Sequence, residues 1–354
     1  MNSKRELHAA ARTSQVLDLP QPYLLFLGDT TEKGYAKTAF GLRDWARDRC
    51  VGEWSCGGAT VTTELPRLTP KEARARGARA LVIGVANTGG VISDSWLPSL
   101  IEALESGLDI ISGMHARLGD VSQLKSTAER HGRKLIDVRT PPRNIPIASG
   151  SKRSGKRLLT VGTDCALGKK YTALALAREF AARGMDADFR ATGQTGIMIS
   201  GGGIPMDAVI ADFAAGAAEM LTPAAPEQHW DVIEGQGSLF HPAYAGVSLA
   251  LLHGSQPDVI VVCHQPGRDR VLGHPGYFLP GIDETIELNL RLGRRTNAAI
   301  RCAGVSLDTS RLDAPAARRL LAEESARLEL PVADPMRGGA EFSALVDACL
   351  SDSD

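Results

Sequence analysis

At 354 residues the chain is longer than one ordinary hydrophobic core accommodates and suits two domains. Its 43% hydrophobic and 23% charged residues are the balance of a compact globular protein, which excludes a fibrous or disordered chain. Its 40 basic and 41 acidic side chains leave a formal charge of −1, so no long-range field draws nucleic acid or an anionic membrane, and small molecules are the expected partners.

Residues 1–20 read as an N-terminal extension without a continuous apolar stretch, and no apolar run nears the ~20 residues of a membrane span. The six cysteines are scattered, with no CxxC pair and no nearby histidine cluster, so no metal is expected. A cytoplasmic protein with reduced thiols is the resulting expectation, with small-molecule substrates and self-association into a homo-oligomer as its partnerships. Residues 21–148 form the first expected domain. Tyr23 to Leu27, Ala80 to Val85, Asp109 to Ser112 and Lys134 to Val138 read as strands. Helical periodicity follows Thr38 and runs from Trp96 to Ser106, which makes an α/β layered domain. Residues 149–156, rich in Ser and Gly and preceded by Pro141-Pro142, read as a linker.

Residues 157–354 form the second expected domain. Arg157 to Val161 is a short apolar strand that runs into a glycine loop and a helix from Tyr171 to Arg183. Further strands are expected at Asp186 to Arg190, Asp231 to Ile233, Asp258 to Cys263 and Ala298 to Val305, giving a mostly parallel sheet with helices on both faces.

The chemistry concentrates at the carboxyl ends of these strands. Gly162, Thr163, Asp164, Cys165, Ala166, Leu167, Gly168 and Lys169 make a phosphate-cradling loop with one residue more between the glycines than the common P-loop. Glycines turn successive N–H groups toward the anion, the helix start adds its positive end, and Lys169 adds a full charge. The next residue of an ordinary P-loop is Ser or Thr, whose hydroxyl binds Mg²⁺; here it is Lys170, which has no lone pair to offer. Thr172 lies a further ~200° around the helix and is no substitute. Phosphates neutralised by ammonium groups fit this loop better than a Mg-nucleotide, the alternative being Mg²⁺ held by Asp164 or Glu234.

Glu234 ends a buried strand and is expected to face the phosphate site. The stretch 190–203, with Arg190, Thr192, Gln194 and Thr195, reads as a second polar loop at the same end, either a loop that holds the substrate or the acyl group or a flexible connection. Gln236 follows Glu234, and His241 and His264 follow strand ends as candidate bases. In the first domain Lys37, Asn87 to Gly90 and Ser112 to His115 lie after strands or at a helix start, and Asp137 and Arg139 read as an ion pair or linker anchor.

Gly162-Thr163-Asp164 with Gly168-Lys169 and Glu234-Gly235 resembles the loop and acidic strand end of dethiobiotin synthetase, a P-loop enzyme. Over nearly the whole chain, the segments 36–42, 112–115, 137–142, 162–170, 191–196 and 233–239 resemble a family with a Rossmann-like domain before a P-loop domain, associated with D-glutamate N-acetyltransferase. The resemblance implies an acetyl-coenzyme A-dependent N-acetyltransferase acting on D-glutamate, without a metal. Such a reaction needs a base for the amine, for which Glu234, His241 and Asp164 are the candidates, in that order. Backbone N–H groups of residues 192–196 or 235–237 are candidate oxyanion donors, and Lys37 and Arg190 candidate partners for substrate carboxylates. An ATP- and Mg-dependent ligase or kinase and a nucleotide-binding regulator stay open as alternatives.

Overall fold

A computed structural model of the chain describes residues 17–87 and 89–351, so most of the expected N-terminal extension and Thr88 lie outside the described residues. The chain divides into two compact units: residues up to Pro142 together with Gln194–Ala208, and Arg143–Gly193 together with residues from Val209 onward.

The first unit is built on five parallel strands, β1 (Tyr23–Phe26), β2 (Cys50–Trp54), β3 (Ala80–Ile83), β4 (Asp109–Ser112) and β5 (Leu135–Asp137), in the order β2-β1-β3-β4-β5. That is a doubly wound order. Every residue of β1 and β3 is buried, as a strand covered on both faces requires. The connections carry α1 (Lys37–Trp45), α2 (Pro70–Ala75), α3 (Leu97–Glu105) and α4 (Ser122–His131). A capping box between Thr69 and Glu72 starts α2 directly before its proline. Edge strand β2 escapes the apolar pattern because its buried Glu53 is fixed by Thr62 and Thr63.

The second unit carries β6 (Lys156–Gly162), β7 (Ala187–Arg190), β8 (Trp230–Ile233), β9 (Val259–His264), the hairpin strands β10 (Arg270–Val271) and β11 (His274–Phe278), then β12 (Arg301–Leu307) and β13 (Val332–Ala333). Six strands form a parallel sheet in the order β13-β12-β9-β6-β8-β7. The helices are α5 (Lys169–Ala182), α6 (Gln194–Ser200), α7 (Ala211–Leu221), α8 (Ala245–Ser255), α9 (Ile282–Gly293), α10 (Ala314–Leu328) and α11 (Gly339–Leu350). Of these, α6 belongs to the first unit. One core layer joins Leu158, Val232, Val259 and Val261 of the sheet to Leu176 and Phe180 of α5 and Leu345 of α11.

Three sequence expectations need correction. The stretch 194–200 is a helix, because Ile197, Met198 and Ile199 bury a run of apolar side chains that no open polar loop would carry. The stretch expected as a linker lies within the second unit and is fastened there. Ser149 and Gly150 donate to Glu219, and Arg153 donates to the carbonyls of Thr222 and Gly254. Strand β12 also runs to Leu307, two residues beyond its expected end.

Candidate active site

Strand β6 lies between β8 and β9, and the chain departs from it toward β7 on one side and crosses it to reach β9 on the other. Such a reversal opens a crevice at the carboxyl end of the sheet, where ligands of these folds collect. Residues 163–168 fill that end, and α5 starts at Lys169, directly after Gly168 in the left-handed conformation at φ 92°. Gly162 cannot carry a side chain without coming within 2.9 Å of the Cys263 carbonyl oxygen, and at Gly235 a Cβ would meet Thr160 O at 1.6 Å. These two glycines bring the loop and the end of β8 together.

Lys169 is buried, and its ammonium donates to the Asp164 carbonyl at 2.5 Å across the loop. Burial pushes its pKa down. Lys170 lies over the Tyr171 ring at 4.5 Å and, with Lys169, acts electrostatically on Glu234. Thr172 points away from the loop: its hydroxyl pairs with Ser306 at 2.8 Å. Thr163 bonds His264 Nδ1 at 3.0 Å, while burial holds the imidazole below its ordinary pKa.

Asp164 is fully buried, and one carboxylate oxygen receives Arg268 at 2.5 Å and the Leu272 N–H at 2.8 Å. Its other oxygen, Oδ1, lies 3.7 Å from His241 Nε2, and neither atom has a hydrogen-bond partner. His241 Nδ1 accepts the Ala243 and Tyr244 N–H groups at 3.1 and 3.2 Å, so in the neutral ring the proton sits on Nε2. Burial favours that neutral form. His241 therefore faces Asp164 with a donor, the lone pair of its Nδ1 being taken by the two backbone amides. Asp164, Cys165 and His241 come close enough to share an ion, as do Asp188, His229 and Asp231. In the first group the Nε2 proton occupies the position a metal would take, and Arg268 already neutralises the carboxylate.

Glu234 stands directly after β8 at the same end of the sheet. It is 4% exposed, and its Oε2 accepts the Thr192 and Gly193 N–H groups, each at 3.0 Å. Thr192 returns a bond from its hydroxyl to the Glu234 carbonyl at 2.6 Å, and Gln236 donates to the same hydroxyl at 3.0 Å. Burial raises the Glu234 pKa, with Lys170, the two amides and Lys169 pulling the other way. The amides of residues 192 and 193 are thus committed to Glu234, and the Gly235 N–H to Thr160, which corrects their assignment as oxyanion donors.

Arg190 is also reassigned. Its guanidinium is held by Asp231 at 2.6 Å and Asp188 at 2.9 Å, beside the fully buried Arg157 and His229. In the first unit Lys37 is exposed at the start of α1. Thr38 and Thr195 share a hydrogen bond at 3.1 Å, and Gln194 accepts from Arg139, which pairs with Asp207 and not with Asp137. Asp137 instead caps the Leu118 N–H. Arg268 and Leu272 were missed in the sequence; the segment 264–268 after β9 was noticed for its histidine alone.

Two family descriptions match this chain: a DUF1611 Rossmann-like domain over residues 49–141 and a DUF1611 P-loop domain over residues 146–345. The chain belongs to the DUF1611 family. A DUF1611 protein of Anabaena variabilis, solved by crystallography, is 32% identical with a TM-score of 0.81, covering 93% of this chain and 99% of its own. The D-glutamate N-acetyltransferase of Tritonibacter scottomollicae is 51% identical over 327 residues, 92% of this chain and 98% of that protein. That of a Pseudoalteromonas species is 46% identical over 333 residues, 94% and 100% of the two chains. The α/β architecture of the DUF1611 family, Rossmann-like then P-loop, is the one expected from the sequence.

Proposed function

We propose that this chain transfers the acetyl group of acetyl-coenzyme A to the amine of D-glutamate, with Glu234 as the general base and no divalent ion. Similarity over nearly the whole length to two proteins named for that activity supports the reaction. The observation that carries the mechanism is Glu234: a buried carboxylate of raised proton affinity, oriented by two backbone amides beside the phosphate loop. Glutamate presents its amine as an ammonium at neutral pH, which must lose a proton before it attacks. Glu234 takes that proton, the amine nitrogen bonds to the acyl carbon, and the tetrahedral adduct expels the coenzyme A thiolate, which takes up the second proton that the nitrogen sheds as the amide forms. Lys169 and Lys170 hold the donor's phosphates, and the buried Nε2–H of His241 is offered to negative charge. Six unpaired cysteines suit a reducing cytoplasm. No helix among the described residues is long and apolar enough to cross a membrane.

The test is direct. Incubating the protein with acetyl-coenzyme A and a panel of D- and L-amino acids, thiol release is expected with D-glutamate. Equal rates with L-amino acids or non-acidic amines would remove the stated substrate.

A further inference from the structure

A concavity of about 370 Å³ opens on the carboxyl side of the same sheet. Its floor is the pair His264 and Leu307, in register at the ends of β9 and β12. One wall is the start of α9, with Ile282 and Asp283; the other is the face of α10 bearing Leu320, Glu324 and Arg327. Arg327 ties the walls, donating to Asp283 at 2.7 Å and to Glu324 at 2.8 Å.

Three features limit what fits. Pro266, Ile282, Leu307 and Leu320 provide apolar surface broad enough for a flat ring, and the size is that of a small-molecule site. Glu324 and Asp283 put carboxylates on the walls, both held by Arg327, and the oxygen lone pairs that the guanidinium leaves over can accept from an amino group on a ring. His264 belongs to this concavity and to the phosphate loop at once, because its Nδ1 bonds Thr163. Strand β12 stands two places from β6, which at the spacing of neighbouring strands is ~10 Å, within reach of one nucleotide.

We propose that this concavity takes the adenine ring of the donor, with the donor's phosphates on the loop at residues 162–169. The assignment rests on the acetyl-coenzyme A reading and goes beyond it by naming where the nucleotide end lies and which residues select it. The ring lies against Leu307 and Leu320, its amino group toward Glu324, and the chain of the donor passes His264 on its way to the phosphate loop.

The experiment fills the concavity from α10. Leu320→Trp and, one turn further along α10, Glu324→Phe are compared with the wild type by calorimetry with coenzyme A, 3′,5′-ADP and inorganic pyrophosphate. The thermal melting of each variant is recorded first. Both variants should weaken coenzyme A and 3′,5′-ADP by about tenfold or more, equivalent to about 1.4 kcal/mol, while pyrophosphate binding stays within about twofold. Unchanged coenzyme A affinity in a folded variant, or an equal loss for all three ligands, overturns the assignment. Should the wild type bind ATP and not coenzyme A, the acetyltransferase reading fails by itself. The concavity is then judged in the same variants by ATP against inorganic triphosphate.

Discussion

Asp164 Oδ1 and His241 Nε2 face each other at 3.7 Å, both buried and neither hydrogen-bonded, although they come from the phosphate loop and from the segment after β8. An orphaned buried acceptor and donor each cost about 1–3 kcal/mol, so a pair left apart in this way is more readily explained by a ligand than by stability. His241→Phe keeps the ring and its packing on Tyr244, 4.5 Å away, while removing the donor together with the Nδ1 acceptor of the Ala243 and Tyr244 N–H groups. It should lower turnover by about tenfold or more, the scale of one lost hydrogen bond to charge, with a smaller loss of stability from the two freed amides. A loss of melting temperature equal to the loss of activity would make His241 structural.

Glu234→Gln should lower turnover by about 10² or more with coenzyme A affinity nearly intact, as expected when a base is lost and an acceptor for the Thr192 and Gly193 amides is retained. The pH dependence has a definite sign. Burial raises the pKa of Glu234 in the fold, so its contribution to stability is full below the ordinary carboxylate range and is lost as pH rises through the raised value. The variant should therefore melt above the wild type at neutral pH, and the gap should close as pH falls toward the ordinary carboxylate range. A gap independent of pH would mean that the carboxylate is not strained by burial.

The phosphate loop, its strand and helix, and Glu234 at the end of β8 were legible because each is local: a glycine spacing, an apolar run, a carboxylate one residue past it. What the sequence hid depends on distant partners. Arg268 meets Asp164 across 104 positions, and Thr163 meets His264 across 101. Arg190 looked available for substrate until Asp231, on the neighbouring strand, took its guanidinium. The tautomer of His241 is set by two backbone amides in the turn that follows it, which residue type alone does not reveal.

The acidic cluster around His229 is a structural device with its own pH signature. Asp231 raises the His229 pKa through a 3.2 Å contact, with Asp186 adding to it. The protonated ring is favoured in the fold, so this stabilisation is full below the ordinary histidine value and is lost as pH rises through the raised one. His229→Gln should flatten the decline of melting temperature across that window. Asp231→Asn should cost about 3–5 kcal/mol, the range for breaking a buried pair, because it strips Arg157, 0% exposed, of a counter-charge. A cost within about 0.5 kcal/mol, measured by urea unfolding, would show that the carbonyls around Arg157 suffice.

The choice between an acyl donor and a Mg-nucleotide turns on Lys169 and Lys170. Lys170 stands where a metal-binding P-loop has its hydroxyl, and the nearest alternative, Thr172, is engaged with Ser306 at 2.8 Å. A divalent ion at the loop would meet two ammonium groups and no hydroxyl at position 170, whereas phosphate oxygens would meet charge of the right sign at short range. Thiol release should therefore persist after exhaustive EDTA treatment. Lys169→Ala should weaken coenzyme A by about 1.5–3 kcal/mol, roughly ten- to hundredfold in Kd. Since burial holds the Lys169 pKa down, donor affinity should also begin to fall at a lower pH than an ordinary lysine would give. Lys170→Thr should weaken coenzyme A and open the position to Mg²⁺. Calorimetry of coenzyme A and of ATP, each with and without Mg²⁺, decides the matter. Tighter binding of ATP than of coenzyme A, and only with the metal, would replace the acetyltransferase reading with that of a ligase or kinase, in which Asp164 and Glu234 hold the ion.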